Sequence, residues 1–142
     1  MAVSQNVRVK AAIYKKAKSG SSGATLQQYL DSALRKRKLV KGRWESVGGD
    51  DSGVHRFINY HTKKSGVTFC ELVLFETGRS QQTIAIEDAE TLEISSYKPP
   101  RIDGKKLEFI ESVLYFGVYN NHVVLMQSRA LRSKDLESYI FW

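Results

Sequence analysis

The sequence predicts an α+β domain: a curved, mainly antiparallel sheet with one packed helix and a second helix at its edge. One clean helical stripe, at residues 26–34, predicts this. So do the strand-like segments on either side of it and the short Gly-, Asn- and Ser-rich turns between them. The length of 142 residues suits a single domain and is enough to bury a core without disulfides or metal.

In chain order, Val7, Val9, Ala11 and Ile13 alternate with Arg8, Lys10, Ala12 and Tyr14, which predicts a first strand with one buried face. Residues 17–23, rich in Ser and Gly, form a loop by composition. Thr25 and Gln28 make a capping box, since hydroxyl and amide can each satisfy a free backbone group at a helix start. Leu26, Tyr29, Leu30, Ala33 and Leu34 follow at helical spacing, and the basic run 35–38 closes the helix against the negative end of its dipole.

Residues 42–47 and 54–61 read as strands around the turn 48–53. A second turn, 62–66, leads to a strand at 67–76, with Phe69, Val73 and Phe75 on one face and Cys70, Leu72 and Leu74 on the other. That strand is expected to be central. Strands at 82–87 and 91–97 come next, then an excursion marked by Pro99-Pro100, and a segment, 105–113, that fits helix or strand. Segments 114–119 and 122–127 flank Asn120-Asn121, whose tolerance of positive φ predicts a tight hairpin. Ser133 opens a last helix with Leu136, Tyr139 and Ile140 on one side. A helix so short must dock, either on its own domain or in a region beyond Trp142. The apolar end Tyr139-Ile140-Phe141-Trp142 favours the second, so Leu136, Tyr139, Ile140 and Trp142 are expected to form a self-association surface of a homo-oligomer. Residues 1–142 would then be the amino-terminal part of a longer protein.

Composition narrows the function. A 42% hydrophobic content excludes a disordered chain, and apolar runs such as Val123-Val124-Leu125-Met126 are too short to cross a membrane, so no membrane insertion is expected. Arg8 and Lys10 stand where a secretory signal would be apolar. With the single Cys70, which rules out an internal disulfide and a Cys-based zinc cluster, this makes the cytoplasm the expected address.

Charge is the most informative feature. Against an overall charge of +7, residues 1–70 hold 14 basic and 4 acidic side chains, whereas residues 71–142 hold 8 and 11. Between Arg8 and Arg43 eleven basic residues face one acid, Asp31. A polyanion-binding face needs such a footprint, because each cation set against a phosphate releases condensed counterions. The candidate contacts are Lys15, Lys16, Lys18, Arg35, Lys36, Arg37, Lys38, Lys41 and Arg43, with Arg129 and Arg132 as a lesser cluster. Backbone-directed, sequence-tolerant binding of nucleic acid, DNA before RNA, is the leading expectation. The alternative is an interaction and oligomerisation module whose basic face docks an acidic partner.

No catalytic pattern appears, and an enzyme is not expected. The Gly-rich stretch 19–23 lacks the Lys-Ser/Thr of a phosphate cradle, no Gly-x-Ser-x-Gly elbow occurs, and the acids lie in turns. His55, Asn59 and His61 are expected on one strand face, too far apart for one metal, so neither metal nor cofactor is expected. Cys70 and Trp44 read as core residues.

Ala12-Ile13-Tyr14-Lys15-Lys16, the Lys/Ser/Gly loop, the helix 26–34, the aromatic hairpin 114–126 and the closing Ser133-Lys134-Asp135-Leu136 form an ordered set. In this layout the chain resembles the amino-terminal domain of the RexA-type phage-exclusion proteins and related prophage or defence-island proteins. The resemblance implies a DNA-binding, self-associating sensor of abortive infection, in antiviral defence, with a further domain after Trp142. It carries over no catalytic residue.

Overall fold

The computed structural model describes residues 7–11, 23–84, 91, 94–128 and 130–141. Its elements are β1 (Val7–Ala11), α1 (Leu26–Lys36), β2 (Glu45–Ser46), β3 (Val54–Lys64), β4 (Val67–Glu76), β5 (Gln81–Ile84), β6 (Ile94–Tyr97), β7 (Ile110–Tyr119), β8 (His122–Met126) and α2 (Ser133–Phe141). Six strands form one sheet in the order β1-β8-β7-β4-β3-β2, antiparallel at every pairing, and β5 with β6 makes a separate hairpin. The fold is α+β, and β4 lies between β3 and β7, as the apolar residues on both of its faces predict.

Turn chemistry sets the two long hairpins. Ser65 and Gly66 both take positive φ, 50° and 80°, the conformation a two-residue turn needs between right-twisted strands. The turn therefore shrinks to these residues, and β3 runs on to Lys64. Asn120, at φ 51°, turns β7 into β8.

Residues paired across antiparallel strands share a face. On one face Ile58, Cys70, Leu72, Leu74, Leu114, Phe116, Val118, Val123 and Leu125 make the core with both helices. The helix α1 begins on the capping box of Thr25 and Gln28 and buries Leu26, Leu30 and Leu34. The fourth buried position is Gln27, a polar side chain. Its amide nitrogen donates to Gly66 O and Thr68 Oγ1, and its oxygen accepts from Asn120 N, so one residue ties α1 to both hairpin turns. Tyr29 and Ala33, expected in the stripe, lie on its exposed flank.

Several expectations need correction. The strand foreseen at 42–47 is only Glu45–Ser46, because residues 40–43 coil into a 3-10 turn that swings Arg43 inward. The ambiguous segment 105–113 becomes strand from Ile110. A bulge between Ile58 and Tyr60 puts His55 opposite Phe75 but His61 opposite Cys70, so the two histidines point to opposite faces. The helix α2 docks on its own sheet, with Leu136 and Tyr139 in the core, where they are unavailable to a second copy. Of the expected self-association residues, Ile140 is half-buried against the same core, and Trp142 lies outside the described residues. Lys15, Lys16, Lys18 and Arg129 also lie outside them.

Candidate nucleic-acid interface

Five of the expected cations, Arg35, Lys36, Arg37, Lys38 and Lys41, are exposed on the last turn of α1 and the loop after it. They form one corner of the molecule, and Arg35 and Lys36 there complement the helix dipole. Arg35 Nε donates back to Asp31 O, which holds its side chain along the helix.

Arg43 belongs to the same run of sequence but not to the same surface. It is 5% exposed. Its guanidinium donates to the carbonyls of Arg37 and Lys38 at 3.0 and 2.9 Å, to Ile58 O at 2.9 Å and to Asn59 O at 3.4 Å. It thus satisfies carbonyls just past the C-terminus of α1 and at the bulge of β3 together, and its burial takes it off the surface a phosphate could reach. This corrects its expected role, and it places the basic corner against the exposed edge of β3.

Asp31, the one acid of the segment, is turned inward. Thr68 Oγ1 donates to its Oδ1 at 2.6 Å, and Lys63 Nζ pairs with its Oδ2 at 2.6 Å. Burial pushes its carboxyl up. The hydrogen bonds from Lys63 and Thr68, with the charges of Lys63 and Arg35, outweigh this and hold it below the usual aspartate range. A lowered folded-state value gives stability that is present above the unfolded value and lost as pH falls through the folded one. Asp31→Asn should therefore cost about 1 kcal/mol or less at pH 7, the pair being partly solvated. The difference from wild type should close below about pH 4, as urea melts at several pH values would show. Lys63, which the sequence pattern did not single out, adds a half-exposed cation beside Arg35.

Arg132 is exposed but sits at the start of α2, where its backbone N–H donates to Asp135 Oδ2 at 2.8 Å. The other end of α2 meets the basic corner: Ile140 and Phe141 line a groove of about 480 Å³ with Tyr29, Leu30, Lys36 and Arg37. A nine-residue helix separates the two ends by roughly 12 Å. Arg132 is thus not part of the corner.

On the face opposite the helices Trp44 stacks on Phe57 at 5.4 Å and meets Phe75 and His55 at 5.0 Å, a small aromatic core. His55 Nδ1 also contacts Ser46 Oγ at 3.3 Å. Cys70 is buried, and burial, aided by Asp31 and opposed by Arg43, pushes its thiol up to about 12, so it is an inert core residue. Among the described residues no three His, Cys, Asp or Glu side chains are grouped to hold a metal ion, and no helix is long and apolar enough to cross a membrane. Comparison with family models, curated proteins and solved structures finds no match to this chain.

Proposed function

We propose that the chain binds nucleic acid, DNA before RNA, through phosphate contacts from Arg35, Lys36, Arg37, Lys38 and Lys41. The observation that carries this reading is the exposure of five cations within seven residues while the segment's one acid is tied to Lys63 and Thr68. Such a corner can lie along a backbone and position it without reading bases. The phage-defence setting, with self-association, rests on the resemblance in element order.

The test is fluorescence anisotropy with labelled DNA across a salt series. Binding should weaken steeply with salt, and Arg35→Glu, Lys36→Glu, Arg37→Glu together should reduce the magnitude of the log–log salt slope by roughly 3, at about 0.9 per lost phosphate contact. Wild-type protein that binds no DNA at low salt would refute the reading. The groove between α1 and α2 favours a second one. Its apolar floor and the Lys36 and Arg37 rim suit an acidic amphipathic segment of a protein partner, and the Phe141 ring stands 75% exposed beside it.

A further inference from the structure

The sheet face opposite the helices carries large aromatic rings in the open. Phe69 on β4 is 46% exposed, Tyr60 on β3 60% and Tyr115 on β7 50%. Register places them together: Glu71 pairs with both Tyr60 and Tyr115, and Phe69 pairs with Gly117 beside them. Gly117 is where the absence of a side chain counts, since a Cβ there would come within 3.2 Å of the Phe69 ring. The ring lies over the glycine. Tyr60, Phe69, Tyr115, Gly117, Val124 and Met126 line a cleft of about 310 Å³, at the lower end of the range for clefts that take small organic ligands.

From this arrangement we infer that the face binds single-stranded nucleic acid, with unpaired bases stacking on Phe69, Tyr60 and Tyr115. The inference rests on the nucleic-acid reading above and specifies the strand form. Two features select this occupant. The first is charge complementarity next door: Arg43 bonds the carbonyls of Arg37, Lys38 and Asn59, so the basic corner abuts the residue before Tyr60. A strand can lay its phosphates along that corner and turn its bases over the edge of β3 onto the rings. The second is Glu71, at the centre of the platform and held by Asn59 Nδ2 at 3.2 Å. Its carboxylate repels a phosphate but accepts a hydrogen bond from a base amino group, so bases and not backbone face the sheet. A duplex keeps its bases stacked inside and cannot use this face.

The experiment compares a labelled mixed-sequence 12-nucleotide DNA single strand with the matching duplex, using the full chain. Phe69→Ala and Tyr115→Ala should each weaken single-strand binding roughly 5- to 150-fold and leave duplex binding within about twofold. Tyr60→Trp should keep single-strand affinity and show fluorescence quenching by the single strand beyond that of the wild-type protein. If Phe69→Ala does not fold, Tyr115→Ala and Tyr60→Trp decide, because both positions are half exposed or more. Folded ring variants with wild-type single-strand affinity would overturn the inference. With that result it would fall alone if the triple charge reversal still lowered the salt slope, and it would fall together with the nucleic-acid reading if wild type bound neither probe at low salt. Ring variants that turn a dimer into a monomer in sedimentation, with single-strand affinity unchanged, would overturn it in favour of a second copy of the chain.

Discussion

Replacing Arg43 by alanine is expected to lower the unfolding free energy by about 3 kcal/mol, far more than any neighbour in the same basic run. The guanidinium is buried and donates to four backbone carbonyls, two just past α1 and two on β3. Removing it leaves the carbonyls just past α1 and those at the bulge of β3 short of donors at buried or partly buried sites. Each such loss carries a desolvation cost, and hydrogen bonds from a charged donor are the more valuable kind. Arg43→Lys should recover only part of the loss, because an ammonium has no planar fork to span carbonyls on both sides. Lys41→Ala, two residues away and exposed, should change stability by no more than about 0.5 kcal/mol. Urea unfolding of the three variants checks the ranking. A loss below about 1 kcal/mol for Arg43→Ala would show that water or repacking replaces the arginine.

The contrast between Arg43 and its neighbours shows where reading the sequence stops. Composition marks a basic run but not which member turns inward, since that depends on a 3-10 turn and on a bulge some fifteen residues later. A cue was present: Arg43, Trp44 and Glu45 alternate about a turn, and the structure sends Arg43 and Glu45 to the helix face and Trp44 to the other. The start of α1 was legible because a capping box and an apolar stripe are local. Gln27 was not, because its partners lie 39 to 93 residues away.

The same limit explains the histidines and the last helix. A strict two-residue period puts His55 and His61 on one face, and one extra residue at the bulge undoes it. The apolar side of α2 looked like a surface in search of a partner. Its partner is the sheet, which buries Leu136 and Tyr139 and half-buries Ile140. The Tyr139 hydroxyl donates to Arg43 O at 2.6 Å and accepts from Ile58 N at 3.1 Å, which pins the helix to the bulge. The aromatic face of β4 was visible in the alternation of Phe69, Val73 and Phe75. Only the sheet order shows that the rings of three adjacent strands gather there.

Glu45→Ala should cost about 3 to 5 kcal/mol, the range for removing one partner of a buried ion pair. Glu45 on β2 faces Arg56 on β3, and the register that joins them is centred on the turn 48–53. The pair is bidentate, with Arg56 Nη2 2.8 Å from Glu45 Oε1 and Nε facing Oε2. The same guanidinium donates to Asp135 O at 2.8 Å and Ser138 Oγ at 2.9 Å, so it fastens α2 to the sheet. Loss of the carboxylate strands a buried charge on polar groups of one helix. The cheapest relief is to expose Arg56 by letting α2 swing away, so amide hydrogen exchange should rise across residues 133–141 before the sheet loses protection. Glu45→Leu combined with Arg56→Met removes both charges and should recover most of the stability, because hydrophobic replacements of a buried pair are often neutral or better. A double-mutant cycle isolates the pair, and a coupling under about 0.5 kcal/mol would assign the cost to packing instead. Since the released α2 also forms one wall of the groove beside Lys36 and Arg37, Glu45→Ala should abolish any binding that depends on that groove. It should leave binding that depends on the exposed cations of α1 largely intact. One variant thus separates the protein-partner reading from the nucleic-acid reading.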